Sequence, residues 1–448
     1  MARSTVREEA ILEDVQDFTH AILAFVDEDG YPLNVATEFE TDAASDAIRL
    51  KTPAIGPQPA EGSEVNVTFS HIRPYPGVGY DQRRYVSLWG AIQRDGDWFV
   101  IRPTRSHGWD EDRLHFFELC ERSVPTGHEY MRKLSERRGE EVKPQLGLGW
   151  LIFLATRVPF LTATIVPILL GGMIARAHGE SNWWLWLLCL VGGAAIHLGL
   201  NVLNDVSDTT SGADTANVNP TMFSGGSRMI QYGLVSLNAM RATSFALYAV
   251  GIGIGLLLVA TRGIELLWIG LAGVFLSIAY TAPPLRLVYR GLGEICVALG
   301  FGPIMVLGTY FVITQELTFE AFYASLPVAL LIMLVLYVNQ VPDRPSDAKA
   351  GKNTIVVRLS KEKIVAGYDL SMIATYLLIV VGAVTGLMPV WTLAALVTIP
   401  LAIKVHRGLS SHYEHPYELM AAMGTNIMVH LATGLLLSAG YLIEILIS

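Results

Sequence analysis

The sequence predicts a multi-pass all-α membrane protein with nine transmembrane helices, carried behind a small soluble β-barrel domain at the amino terminus. Three observations predict it. Of the 448 residues 52% are hydrophobic and 16% charged, too apolar for an ordinary soluble chain. The excess begins only near Leu146, and beyond it lie nine apolar runs of roughly bilayer length, at 150–173, 183–205, 242–260, 264–282, 291–314, 325–341, 365–388, 390–404 and 425–447. Upstream, short runs of alternating hydrophobicity are separated by turn residues. The expected division is 1–145, a barrel with a helical linker, and 146–448, the membrane domain.

In the first part, 20–26 and 31–39 alternate around Asp27-Glu28-Asp29-Gly30, where Asp-Gly favours a hairpin turn. Runs at 47–51, 64–70 and 84–93 read as further strands, and Asp95-Gly96 turns the last into 98–102. Six strands at this spacing suggest a closed barrel. Residues 113–120 and 128–138 then read as helices. Residues 1–17 are charged and lack an apolar core, so no secretory signal is expected there.

The loops set the orientation. Those after the second, fourth, sixth and eighth runs hold most of the Lys and Arg, whereas the opposite loops carry Arg176 and Arg262. The positive-inside rule makes the first set cytoplasmic, together with the amino-terminal domain. The expected location is the cell membrane, with the bilayer itself as a partner. A net charge of −9 without an acidic run argues against nucleic acid as a partner. Cys120, Cys189 and Cys296 are too far apart in the chain to suggest a disulfide framework or a zinc site.

The densest polar cluster is Asn201-Val-Leu-Asn204-Asp205-Val-Ser-Asp208, followed by Gly212-Ala-Asp214. At helical spacing His197, Asn201, Asn204 or Asp205, and Asp208 share one face. The pattern returns as Asn339-Gln-Val-Pro-Asp343-Arg-Pro-Ser-Asp347, and the same interval separates Asn201 from Asn339 and Asp205 from Asp343. Both clusters fall on the cytoplasmic side. Carboxylates and amides crowded in this way suit Mg²⁺, which commonly joins carboxylates to substrate phosphates. Two facing clusters would hold two such ions with a diphosphate between them, and Lys352 and Arg358 would meet the remaining charge.

Other features admit two readings. Phe223-Ser-Gly-Gly-Ser-Arg228 is either a loop whose amides and guanidinium face a phosphate or a plain turn. Pro159 and Pro167 either open the first span toward a cavity or kink it for packing. Glu294 is an intramembrane functional candidate unless it lies at the interface. Tyr280, Tyr289 and Tyr310 suit packing or interfacial anchoring as well as chemistry.

Residues 146–448 closely resemble the UbiA superfamily of intramembrane prenyltransferases, and within it the 1,4-dihydroxy-2-naphthoate branch of menaquinone synthesis. The resemblance rests on both aspartate motifs, on Gly226-Ser-Arg228 with Gly233-Leu-Val-Ser236, on Tyr280-Thr281 and Tyr289-Arg-Gly-Leu-Gly-Glu294, on Gly302 and Gly308-Thr-Tyr310, and on Gly351-Lys352 through Arg358. The interval from Asp208 to Asp214 is longer than the commonest form and is read as a branch marker. At Ala282-Pro283 the paired glycines often seen in that branch are missing. Residues 21–32 and Tyr85-Val-Ser-Leu-Trp-Gly90 resemble the split barrel of pyridoxamine 5′-phosphate oxidase and flavin-reductase-like proteins. That second resemblance implies dimerisation and FMN binding, for which Arg49, Lys51, Arg102 and Arg105 are basic candidates, or else solvated charges on strand ends.

The first resemblance implies that Asp205, Asp208, Asp343 and Asp347 hold Mg²⁺ on a polyprenyl diphosphate and so carry the catalysis. Asn201, Asn204 and Asp214 would support them, with Tyr280 and Asn339 in the substrate site. Arg228, Lys352 and Arg358 would bind diphosphate oxygens or the carboxylate of an aromatic acceptor. The acceptor could instead be 4-hydroxybenzoate, homogentisate or a glycerol phosphate lipid. A secondary transporter also uses repeats and interrupted helices, but its site tends to lie at mid-membrane. A flavin-dependent reductase acting on the quinone product is a further reading of the soluble domain.

Overall fold

The computed structural model of the chain describes residues 15–42, 46–53, 56–75 and 79–447. Most of the stretch expected to lack a secretory signal lies outside the described residues. The chain divides into two compact units at Ser123/Val124.

The first unit is an antiparallel sheet of eight strands among the described residues: β1 (Ala21–Val26), β2 (Pro32–Thr37), β3 (Phe39–Asp42), β4 (Ala47–Lys51), β5 (Glu64–Tyr75), β6 (Gly79–Asp95), β7 (Trp98–Ile101) and β8 (Arg105–Asp110). The order is β2-β1-β5-β6-β7-β4-β3, with β8 also on β6. Six strands were expected. The run at 31–39 divides into β2 and β3, and β8 carries no hydrophobic alternation to announce it. β6 is long because it serves two neighbours along its length, β5 and β8 toward its start and β7 at its end. Alternation works as expected on β1, where Ala21, Leu23 and Phe25 turn inward beside Leu50, Val67 and Phe69. The helix Phe116–Arg138 is continuous where two were expected, with Pro125 inside it.

In the second unit seven helices among the described residues are long and apolar enough to cross a membrane: Trp183–Ser211, Leu237–Arg262, Gly293–Thr314, Phe319–Asn339, Lys361–Val384, Val390–Ser411 and Pro416–Ile447. Two shorter apolar helices, Thr162–Ala177 and Glu265–Thr281, stand where the first and fourth spans were expected. Many large apolar side chains on these helices, among them Trp184, Phe245, Trp268 and Leu377, are exposed and suited to lipid contact. The chain is an integral membrane protein.

The first expected span, 150–173, is interrupted. Leu148–Ala155 ends, Arg157 takes a left-handed backbone with φ 55°, and a 3₁₀ turn at Val158–Leu161 leads into Thr162–Ala177. Hydropathy does not register this break, because one arginine barely moves a window average. Pro159 lies in the 3₁₀ turn, and Pro167 is buried within the helix that follows.

Helix ends are set by side-chain caps. Asn182 accepts from the amides of Trp184 and Leu185, and Thr318 accepts from Ala321. Close packing relies on small residues. A Cβ on Gly171 would lie 2.6 Å from the Val306 carbonyl and 3.1 Å from Thr309 Cβ, on the helix facing it. Gly171→Ala should therefore lower the thermal midpoint in detergent by an amount equivalent to about 1–3 kcal/mol. Gly253→Ala, where a Cβ meets nothing within 4 Å, should change it little.

Candidate active site

The Trp183–Ser211 helix does not stop at 205, where the apolar run ends. It continues to Ser211 and is closed by Gly212, whose φ is 84°. Asp205 and Asp208 therefore sit in its final turns, both buried, rather than in a loop. The second motif is carried differently. Phe319–Asn339 ends just before it, and Asp343 and Asp347 lie at the start of a short helix, Arg344–Lys349, and within it.

These elements enclose one polar cavity of about 150 Å³. Its walls include Asn201, Asn204, Asp208, Asp214, Tyr280, Asn339, Asp343, Asp347 and Lys352, so both motifs meet at a single space. Lys352 Nζ bridges them, 3.0 Å from Asp208 Oδ2 and 3.6 Å from Asp347 Oδ1. Asn204 Nδ2 donates to the same Asp208 oxygen at 3.0 Å, and Tyr289 donates to the other at 2.9 Å. Asn201 is turned aside, its amide on the Thr156 carbonyl.

Three expected residues stand off the cavity wall. Asp205 lies behind it, with Oδ1 taking the Arg157 guanidinium at 2.5 Å and Oδ2 taking the Ser227 amide at 3.1 Å. Arg228 donates to the carbonyls of Asp214 and Asn217 and so buttresses the loop. Arg358 donates to the Arg290 carbonyl.

The Gly225-Gly226 loop also differs from both readings of it. Its amides hold the aspartates: Gly225 donates to Asp343 at 2.9 Å, while Ser227 holds Asp205. Gly226 has φ 75°, and a Cβ there would lie 3.0 Å from Asp214 Oδ1 and 3.3 Å from Asp205 Oδ1. With that φ, and with both carboxylates so close, glycine is the residue that fits without strain.

Residues that sequence reasoning did not assign to the site are Arg157, Asn217, Gln231, Tyr289 and Gln340. Asn217 donates to Asp343 at 2.9 Å, and Gln231 donates to Asp214 at 3.2 Å. Tyr289 carried a usable signal, since it lies in a motif already quoted. Gln340 carried one too, as part of the second aspartate motif, whereas Arg157, Asn217 and Gln231 are isolated polar residues whose proximity depends on the fold.

The electrostatics follow from burial. Desolvation raises Asp343, and it raises Asp214 with Asp208 and Asp205 adding to the effect. Asp347 is pushed up to about 8, chiefly by burial, against the pull of Lys352 and with repulsion from Asp343 and Asp208. Burial acts to lower Lys352, but Asp208 and Asp347 outweigh it and hold the ammonium well above its usual value.

Asp347 Oδ2, Asn204 Oδ1, Asn339 Oδ1 and both polar atoms of Gln340 are buried without a hydrogen-bond partner. Among the described residues no ready-made cluster of three or more His, Cys, Asp or Glu ligands exists. The donors around the cavity are instead carboxylate and amide oxygens, several of them unpartnered. That set fits a hard divalent cation such as Mg²⁺, which takes only one or two carboxylates and completes its shell with water and substrate oxygens.

A second cavity of about 310 Å³ adjoins the first and is almost wholly apolar, lined by residues such as Ile196, Ile254, Val274 and Met305. The two share His197, Leu200, Tyr280, Val297 and Phe301 as a common wall. An acidic chamber beside an apolar one, inside a bundle of apolar helices, is the layout of a membrane enzyme whose substrate has an ionic head and a hydrocarbon tail.

Comparison with known proteins agrees. The model of the UbiA prenyltransferase family matches residues 164–426. The chain is 26% identical to 1,4-dihydroxy-2-naphthoate octaprenyltransferase of Bacillus subtilis (strain 168), over 70% of this chain and 99% of that one. It is 27% identical to 2-carboxy-1,4-naphthoquinone phytyltransferase of Synechocystis sp., covering 64% and 91%. It is 33% identical to the Mycobacterium tuberculosis 1,4-dihydroxy-2-naphthoate octaprenyltransferase, covering 54% and 80%. The chain belongs to the UbiA prenyltransferase family and is an enzyme that transfers prenyl groups.

A pH dependence follows. The folded protein keeps a proton on Asp347 up to about 8, whereas the unfolded chain releases it near 3.8. Raising the pH between those values therefore costs the metal-free protein stability. Its thermal midpoint in detergent should fall across that window, and added Mg²⁺ or Asp347→Asn should flatten the slope.

Proposed function

We propose that the chain transfers a polyprenyl group from a polyprenyl diphosphate to 1,4-dihydroxy-2-naphthoate, in an Mg²⁺-dependent reaction of menaquinone biosynthesis. The observation that carries this reading is the single polar cavity on which both aspartate motifs face Lys352, with an apolar chamber behind a shared wall. The names of the relatives from Bacillus subtilis and Mycobacterium tuberculosis support the acceptor.

The proposed Mg²⁺ ligands are Asp205, Asp208, Asp343 and Asp347. Asp205, bonded to Arg157, has the least direct share. Bound Mg²⁺ would neutralise the diphosphate and so improve it as a leaving group. Lys352 and Arg157, both on the cavity wall, would meet the diphosphate oxygens. The apolar chamber would take the isoprenoid tail, and Val297 and Phe301 on the shared wall would keep water from the allylic carbon. The allylic C–O bond would ionise, the electron-rich ring of the acceptor would attack, and the acceptor carboxylate would leave as CO₂. Asn201, Asn204, Asp214, Tyr280 and Asn339 complete the proposed substrate site. Arg228 and Arg358 would act by holding the loops around it.

The same proposal includes nine membrane spans, counting the two shorter apolar helices, with the domain division at 145/146. The amino-terminal domain and both motifs would face the cytoplasm, by the distribution of Lys and Arg. The amino-terminal sheet is read as a split barrel that pairs two chains. FMN fits it poorly. Arg49 lies 3.6 Å from Asp95, Lys51 3.1 Å from Glu38 and Arg105 3.4 Å from Glu64, while Arg102 donates to Gln93. Three of the four charges already face carboxylates and the fourth meets a neutral amide, and no flavin step is proposed.

The test is prenyl transfer in detergent from a polyprenyl diphosphate to 1,4-dihydroxy-2-naphthoate, with Mg²⁺ or with chelator. Product and CO₂ should appear only with Mg²⁺. Asp343→Asn or Asp205→Asn should reduce transfer to background while the protein still folds. Full activity in both variants would overturn the metal assignment, and transfer only to 4-hydroxybenzoate or another phenol would overturn the acceptor.

A further inference from the structure

His197 lies on the Trp183–Ser211 helix, one turn before Asn201, and is only 6% exposed. It is a wall residue of both cavities, so it stands where a bound substrate would pass from ionic head to apolar tail. The ring is fixed at two points. Nδ1 is 2.8 Å from Thr164 Oγ1, and the ring meets Phe301 edge-to-face with centroids 4.6 Å apart. Among the described residues Nε2 is hydrogen-bonded to none. A buried imidazole that is anchored through one nitrogen, with the other unpartnered beside a cavity, is arranged like a general base.

We propose that His197 is the base that takes the hydroxyl proton of the aromatic acceptor. The assignment rests on the prenyl-transfer reading above. With Nδ1–H donating to Thr164 Oγ1, Nε2 carries a lone pair toward the shared wall. The acceptor O–H proton passes to Nε2, and the electron pair left on oxygen enriches the ring. The ring carbon that bears the carboxylate gives its pair to the allylic carbon, whose bond to the diphosphate oxygen breaks with both electrons leaving on that oxygen. The ring re-aromatises by losing the carboxyl group as CO₂, and Nε2 returns its proton to the oxygen. No oxidant or reductant is needed.

The neighbours suit this role. Titratable or charged groups on elements packed against the imidazole are Arg157 before the Thr162–Ala177 helix, Tyr280 on Glu265–Thr281 and Cys296 on Gly293–Thr314, with Asp208 further along its own helix. Tyr280, the other polar side chain on the shared wall, holds its proton under ordinary conditions and is the weaker candidate for a base.

The test uses the full chain with Mg²⁺ and a polyprenyl diphosphate. His197→Gln should reduce kcat for 1,4-dihydroxy-2-naphthoate by about 100-fold or more, abolish the acid limb of the pH profile, and leave binding of the diphosphate unchanged. A halogenated acceptor whose hydroxyl is already ionised should recover most of the loss, which a merely structural role would not produce. Thr164→Val, which keeps the volume and removes the anchor, should displace the acid limb and provides the same readout if His197→Gln fails to fold. Wild-type kcat and pH profile in the variant, or equal losses with both acceptors, would overturn the proton role alone. A wild-type protein that prenylates no hydroxyarene would overturn both this role and the reading beneath it.

Discussion

The structure depends on holding four aspartates, Asp205, Asp208, Asp214 and Asp347, in nearly complete burial around one small space, with a fifth, Asp343, partly buried beside them. Charges so placed cost several kcal/mol each unless paired or protonated. The protein answers in three ways. Lys352 and Arg157 supply positive charge from segments far apart in sequence, backbone amides of the 225–227 loop hold Asp343 and Asp205, and the raised Asp347 carboxyl keeps a proton. What remains is a site with more acid than base, in which a divalent cation relieves a cost already built into the fold.

This constraint accounts for much of the surrounding architecture. The left-handed Arg157 breaks its helix at a cost of about 1 kcal/mol, and the break brings its guanidinium onto Asp205. Gly226 suits its place because its φ of 75° favours glycine and a Cβ there would press on Asp214 and Asp205. The apolar chamber next door is lined by the membrane helices, so an ionic head and a hydrocarbon tail each find a compatible environment in adjoining spaces. Exposed apolar faces on the outer helices are the complement of this plan, since the polar chemistry is gathered within.

Much of this was legible in the residues. The two aspartate motifs announce themselves by composition, by matched spacing and by their position at the ends of apolar runs, and they do meet. The places of the membrane helices follow hydropathy closely. The exact ends do not: Asp205 and Asp208 lie inside a helix because helical hydrogen bonding continues past the apolar stretch to Gly212. Partners such as Asn217 and Gln231 were not legible, because their contacts are made by loop geometry rather than by a repeating pattern. The glycine loop was recognised as important but given the wrong partners, its amides meeting carboxylates instead of phosphate. In the sheet, strongly alternating β1 and β4 were plain, whereas polar β8 is specified by pairing with β6 and not by its own sequence.

The most direct measurement is equilibrium binding of a non-cleavable polyprenyl thiodiphosphate to the detergent-solubilised protein, titrated with and without Mg²⁺. If the two motifs share one cation-dependent site, binding should require Mg²⁺ and should be lost on neutralising an aspartate from either motif. Equal affinity in chelator, or insensitivity to one of the two motifs, would contradict the account.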